Sequence, residues 1–284
     1  MHVPRAPRAA ILAAVLLALP AAPAYAVGNP QVAALQVALR AAGTYSGSVD
    51  GLAGPGTRAG TRTLQRRRGL AVDGVAGPAT RRALGRRGRP PAVIASGSRG
   101  WHVAALQFAL QVHGFPSGPV DGGFGGRTAA AVQRFQRYAG LGADGAAGPA
   151  TRRALRSPPP RSVLRFARPA GGLVGDSFGP RGVGFHPGQD YPLAFGAPVL
   201  AAGRGCVVWA GFQPGGYGNL VVIRHRAGMT TLYAHLSRVS VGVGRCLTAG
   251  VRVGSVGSTG FSTGPHLHFE MRLRGAAVDP RTGL

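Results

Sequence analysis

Apolar residues recur at helical spacing through the first half of the chain. Val103, Leu106 and Leu110 fall at i, i+3 and i+7, and Val132, Phe135 and Tyr138 follow at similar intervals, so two amphipathic helices are expected. A third, short helix is expected from Pro149, since proline behind Gly148 suits the first helical position. The pattern occurs twice. Val32-Ala33-Ala34-Leu35-Gln36 returns as Val103-Ala104-Ala105-Leu106-Gln107, an offset of 71 that also relates Asp50 to Asp121, Thr57 to Thr128, Gln65 to Gln136 and Asp73 to Asp144. Residues 77–84 return in the same register as 148–155, and so long a match without a gap predicts a duplicated three-helix domain. Each copy holds two Asp-Gly pairs, at 50–51 and 73–74, then 121–122 and 144–145. Each pair brings one carboxylate, so they are read as structural turns rather than calcium loops.

From about Ala170 the helical period disappears. Short runs such as residues 206–210 and 220–224 alternate with turns, predicting a mainly antiparallel β domain. Residues 220–226 and 229–235 read as a hairpin turning at Ala227-Gly228. In the stretch 264–270 a strand would place His266 and His268 on one face and Leu267 and Phe269 on the other, toward a core. The Gly-rich run 254–260 is read as leaving room for a substrate backbone. The expected division is a leader at 1–26, helical domains at 27–86 and 99–156, connecting segments at 87–98 and 157–169, and the β domain at 170–284. The prolines at 90–91 and 158–160 predict stiff spacers holding the helical modules apart from the β domain.

Composition adds a compartment and a partner. Arg5 and Arg8 precede an apolar run at 9–19 and the small-residue pattern Ala24-Tyr25-Ala26, which reads as a secretory signal peptide cut after Ala26. The run is shorter than the roughly 20 residues of a membrane span, and Pro20 and Pro23 interrupt it. Export without stable membrane insertion is expected, in a compartment where disulfides persist. The two cysteines, Cys206 and Cys246, are therefore read as one disulfide; neither lies in a C-x-x-C pair, which disfavours zinc ligation or a nucleophilic thiol. Closing that loop is worth roughly 4 kcal/mol in the chain-entropy model. The formal charge is +25, and all 33 basic residues are arginine. Residues 27–168 carry 21 arginines against four aspartates, a net +17, residues 169–284 carry a net +6, and Arg5 and Arg8 of the leader supply the other +2. An anionic partner for the N-terminal half follows. Export points to anionic wall polymers rather than nucleic acid.

Three clusters carry the chemistry. They are His186-Pro187-Gly188-Gln189-Asp190, then His235 within Tyr233-Ala234-His235-Leu236-Ser237, then the His266/His268 pair. A catalytic zinc commonly takes three protein ligands, often two His and a carboxylate, and keeps a fourth position open. His186, Asp190 and one histidine of the strand pair would supply that set. The two remaining imidazoles are then available for proton transfer beside the metal. Glu270, on the strand face of His268, is read as a surface charge, with contact to a metal ligand as the alternative.

The repeated V-A-A-L-Q-x-A-L, V-D-G and D-G-x-x-G-P-A-T-R-R-A-L motifs resemble the three-helix peptidoglycan-binding domains found beside many bacterial wall hydrolases. The second copy fits better than the first, where Gly60, Thr61 and Leu64 stand in place of Ala131, Val132 and Phe135. The C-terminal motifs H-x-G-x-D at 186–190, Y-A-H-L-S at 233–237 and S-T-G-P-H-L-H-F-E at 262–270 resemble the lysostaphin-like (LytM-type) zinc metallopeptidases. That resemblance implies one zinc held by His186, Asp190 and His268, and an unligated catalytic pair, His235 and His266. Together with the export read from the leader, it implies a secreted, wall-associated peptidoglycan endopeptidase cutting peptide cross-links. The alternative is a non-catalytic wall-binding regulator of hydrolysis.

Overall fold

The computed structural model describes residues 28–85 and 91–284. The expected signal peptide, and the arginine-rich run before Pro91, lie outside the described residues. The first helical module consists of α1 (Pro30–Ala41), α2 (Pro55–Arg67) and α3 (Pro78–Ala83), and the second of α4 (Trp101–Val112), α5 (Gly126–Tyr138) and α6 (Pro149–Ala154). The starts are encoded locally: α2, α3 and α6 each open with proline at the first position behind a glycine cap, and the Asn29 side chain caps α1 by accepting from Gln31 N–H.

What fixes the loops is a glutamine node that occurs twice in each module. Gln36 donates from Nε2 to Asp50 Oδ1 (2.7 Å) and Thr57 Oγ1 (3.0 Å), and its Oε1 accepts from Gly51 N–H (2.9 Å). Gln65 does the same with Asp73, Thr80 and Gly74, Gln107 with Asp121, Thr128 and Gly122, and Gln136 with Asp144, Thr151 and Gly145. The carboxylate of each Asp-Gly turn is thus occupied inside the protein, in agreement with the structural reading of these turns. The four nodes are why Gln, Asp and Thr recur in register. The second module closes over Leu106, Leu110, Val132 and Phe135, whereas the first has a smaller core of Leu35, Leu39 and Leu64. The modules lie side by side, with Ala33 and Ala34 of α1 meeting Ala104, Ala105 and Phe108 of α4. Small side chains let these two helices approach closely.

The β domain begins with a hairpin of β1 (Gly179–Arg181) and β2 (Gly184–His186), followed by β3 (Gln189–Pro192) and β4 (Pro198–Leu200). There follow β5 (Gly205–Gln213), β6 (Gly218–Arg224), β7 (Met229–Ala234), β8 (Leu236–Val239) and β9 (Cys246–Leu247), then β10 (Arg252–Val256), β11 (His266–Leu273) and β12 (Ala276–Val278). The main antiparallel sheet runs β12-β11-β7-β6-β5-β9, with β3 also paired to β11; a second sheet runs β4-β10-β8. Tyr191, Val199, Tyr233, Leu236, Val253, Leu267 and Phe269 fill the core of this domain. The β6–β7 hairpin turns at residues 226–228 as expected. Cys206 and Cys246 sit directly opposite each other on β5 and β9 and form the disulfide. Among the described residues, no helix is long and apolar enough to cross a membrane.

The spacer expectation fails after Pro160. Phe166 joins the β-domain core, its N–H donating to Gly283 O (2.8 Å), and Ala167 N–H donates to Ala202 O (2.7 Å). Leu164 and Phe166 give this segment apolar side chains to bury, which draws it onto the sheet. Nor are the modules held away. Val49 and Val120 N–H groups bond to the β1–β2 turn, and Ala277 N–H bonds to Gly114 O.

The glutamine nodes yield a stability test. Gln136→Ala strips partners from the Asp144 carboxylate and from the buried Gly145 N–H. It is expected to lower unfolding free energy by about 1–3 kcal/mol, read as a lower urea midpoint for the full chain.

Candidate metal centre

Three strands converge on one point. In the β3–β11 ladder Asp190 lies directly across from His268, so their side chains share a face, and His186 enters from the end of β2. Asp190 Oδ1 stands 2.8 Å from His268 Nδ1 and 3.2 Å from His186 Nε2, and these two nitrogens are 3.1 Å apart. One atom from each of the three residues lies within 4.8 Å of the others, and all three side chains are largely buried. Gly188 is required between them: a Cβ there would stand 2.5 Å from Phe269 O and 2.8 Å from His268 Cε1.

The outer ring nitrogens decide what the inner ones offer. His186 Nδ1 faces Ser177 O at 3.1 Å, and a carbonyl only accepts, so Nδ1 carries the proton and Nε2 turns a lone pair inward. His268 Nε2 likewise donates to Glu270 Oε1 at 3.1 Å, leaving Nδ1 for the inward seat. Two imidazole lone pairs and a carboxylate oxygen, converging on one point with their outer partners in place, suit zinc.

Glu270 corrects the sequence reading. It is not a surface charge but fully buried. Arg272 Nε donates to its Oε2 (2.7 Å), Tyr217 O–H donates to its Oε1 (2.6 Å), and Arg272 Nη2 donates to Tyr217 O (2.8 Å). Burial opposes ionisation here, yet the Arg272 charge and the His268 hydrogen bond hold the carboxyl well below its usual range. Tyr217, between β5 and β6, and Arg272 had no role in the sequence reading. The parity of β11 puts Arg272 on the face of His268, whereas Tyr217 sits among glycines with no pattern to mark it.

His235 and His266 flank the cluster, with ring centroids 4.7 Å apart. His235 Nδ1 donates to Thr259 O (2.7 Å) and His266 Nδ1 to Gly264 O (2.8 Å), so both present Nε2 as an acceptor. His266 Nε2 lies 3.9 Å from Asp190 Oδ1. Burial, and then the neighbouring His266 and His268, push the His235 pKa down. All five residues line one cleft of about 750 Å³, together with Arg181, Phe185, Tyr217 and Phe261. The Gly-rich run does not leave room for substrate at Gly257. A Cβ there would meet Ser237 N at 2.3 Å, so the tight approach is made by the protein's own backbone.

The model of peptidase family M23 matches residues 184–280, which hold all five of these side chains. The C-terminal domain belongs to peptidase family M23. A putative peptidoglycan binding domain matches twice, over residues 28–84 and 99–155, the two helical modules. The M23 domain is 50% identical over 95 residues to the DD-carboxypeptidase/endopeptidase Mpg of Neisseria meningitidis serogroup B, covering 34% of this chain and 22% of that protein. It is 43% identical over 94 residues to the peptidoglycan DD-endopeptidase ShyA of Vibrio cholerae, covering 33% and 22%. Among solved structures, the catalytic domain of lysostaphin from Staphylococcus simulans aligns at 37% identity and a TM-score of 0.37, covering 39% of this chain and 90% of that one. The chain spans about a fifth of the length of these curated relatives.

The metal-free M23 domain carries a pH signature. Burial lowers the His268 pKa, but hydrogen bonds to Asp190 and Glu270 and the Glu270 charge more than reverse this, raising it to about 9. An unfolded imidazole titrates near 6.5, so this stabilisation is complete below about pH 6.5 and is lost as pH rises through about 9. Chelator-treated protein is expected to lose on the order of 2–3 kcal/mol of unfolding free energy across that window. Urea titrations at several pH values check this, and a flat profile contradicts the assignment.

Proposed function

We propose that this chain is an exported, zinc-dependent peptidoglycan endopeptidase that hydrolyses wall peptide cross-links. The observation that carries the reading is the convergence of His186 Nε2, Asp190 Oδ1 and His268 Nδ1 beside two further imidazoles in one cleft. His186, Asp190 and His268 hold the ion. A zinc ion there supplies Lewis acidity to the scissile carbonyl and to the attacking water. The names of relatives such as ShyA support peptidoglycan as substrate, as does the duplicated peptidoglycan-binding domain.

The protein's own groups handle the protons. A general base needs a lone pair aimed into the cleft, and His266 offers one at Nε2, 3.9 Å from Asp190 Oδ1, with its Nδ1 proton held by Gly264 O. His266 Nε2 is therefore the base. His235 is driven toward the neutral form and faces the cleft with an acceptor, so it must gain a proton before donating to the oxyanion or the leaving amine. Glu270, Tyr217 and Arg272 keep His268 in the tautomer that offers Nδ1.

The helical modules anchor the enzyme to polymeric wall and raise its effective concentration there. Their arginine excess adds anionic wall polymers as a further partner. Export through the leader at 1–26 completes this reading.

Purified protein is expected to clear wall sacculi, to stop when a chelator removes the metal and to resume when zinc is restored, while His186→Ala stays inactive. Chelator-insensitive clearing contradicts a metallopeptidase, and binding without clearing under zinc supports the non-catalytic wall-binding alternative. His268→Ala is expected to lose zinc. His266→Ala is expected to keep zinc and lose turnover by about 10²–10⁴-fold, the usual range for a general base. Equal zinc loss in both variants, measured by metal analysis, contradicts this division of roles.

A further inference from the structure

The helical modules touch the M23 domain at the far ends of both strands that carry metal-site histidines. At one end the β1–β2 turn lies in the seam between the modules. Val49 N–H donates to Gly182 O and Val120 N–H donates to Val183 O, each at 2.7 Å. Val49 and Val120 are equivalent positions of the repeat, so each copy gives one amide to one of two consecutive carbonyls. Val183 packs against the apolar cluster of that seam, which also holds Val49 and Val120. Three residues later this strand ends in His186.

At the other end the β11–β12 turn rests on the second module. Ala277 N–H donates to Gly114 O (3.0 Å), Ala276 is buried in the module's own core, and the Arg274 guanidinium lies 5.4 Å from the Tyr138 ring centroid. β11, which runs into this turn, carries His266 and His268.

The hairpin needs such support. Among the described residues β1 and β2 pair with each other and with no strand of either larger sheet. An isolated two-stranded hairpin is marginal in water. Asp190 and His268 are fixed by the ladder of the main sheet, whereas His186 reaches them from this hairpin. A ligand left on an unsupported hairpin samples many positions, and metal affinity falls with that spread.

We propose that the paired helical modules set the metal centre of the M23 domain, gripping the β1–β2 turn in their seam and so placing His186. This rests on the reading of His186, Asp190 and His268 as a zinc site. It gives the modules a second task beside holding wall, and makes Val183 and Gly114 positioning residues of a centre they do not touch.

The duplication supplies an internal control. Gly114 and Gly43 are repeat equivalents, both with positive φ, at +81° and +65°. A Cβ at Gly114 would stand 2.0 Å from Ala277 O, whereas one at Gly43 would meet nothing within 4 Å. Alanine at either site strains the turn, but only at Gly114 does it push against the M23 domain.

The experiment uses the full chain and two readouts: zinc affinity by competition with a chromophoric chelator, and hydrogen exchange at the Val49 and Val120 amides. In the unmodified chain both amides are expected to be protected. Val183→Asp, which places a charge in the seam, is expected to lose that protection and to bind zinc at least tenfold more weakly. Val183→Ile is expected to keep both. Gly114→Ala is expected to weaken zinc binding severalfold, and Gly43→Ala to leave it unchanged. Should Val183→Asp fail to fold, the unmodified chain still decides the matter: coupling between sites is reciprocal, so saturating zinc must slow exchange at Val49 and Val120. Free exchange of those amides in the unmodified chain, exchange that zinc does not slow, or unchanged zinc affinity once protection is lost each overturns the proposal. A chain that binds no zinc while its Val49 and Val120 amides are protected overturns the metal reading, and the assigned role with it, but leaves the docking intact.

Discussion

The centre depends on one cross-strand pair. Asp190 sits opposite His268 on β3 and β11, and the carboxylate oxygen shared between His268 and His186 brings a strand, a hairpin and a ladder partner to one point. Burying a carboxylate is unfavourable unless its partners are charged or donate hydrogen bonds, so this pair survives only because the imidazoles stay within reach. Glu270 extends the same logic one residue pair further along β11. Its negative charge has no contact with water, and Arg272, Tyr217 and His268 together satisfy it. A polar network of this kind must be complete to be tolerated, because any missing member leaves a buried charge exposed to the full desolvation penalty.

The helical half follows a different principle. Its cores are small, and four glutamine nodes carry the loop geometry that apolar packing alone would not define. This explains how the first module keeps its shape with Thr61 and Leu64 where the second has Val132 and Phe135. Hydrogen-bonded turns tolerate a thinner core, since they fix the chain through local partners rather than through volume.

Much of this was legible in the sequence, and for identifiable reasons. The duplicated modules were visible because the nodes demand Gln, Asp-Gly and Thr at fixed intervals. The facing of His266 and His268 was visible because β11 keeps a strict period of two. The burial of Glu270 was not, because parity gives its face but not what covers it, and Tyr217 arrives from a turn 53 residues earlier in the chain. The docking of the modules was equally hidden. The hydrogen bonds at Val49, Val120 and Val183 use main-chain groups, which every residue carries, and an isolated valine in a turn does not show what it packs against; prolines suggested a spacer where Leu164 and Phe166 instead attach the segment to the sheet.

Gly114 and Gly43 began as copies of one residue and now face different limits. At Gly43 a side chain meets only the intrinsic penalty of a left-handed turn, while at Gly114 it also collides with the Ala277 carbonyl and something must shift. The two modules are therefore not interchangeable parts. Reversing their order, or grafting this M23 domain behind an unrelated pair, would discard a fitted surface even if every helix folded. A transplant that carries only residues 170–284 would leave the far ends of the strands bearing His186 and His268 facing solvent instead of their neighbour.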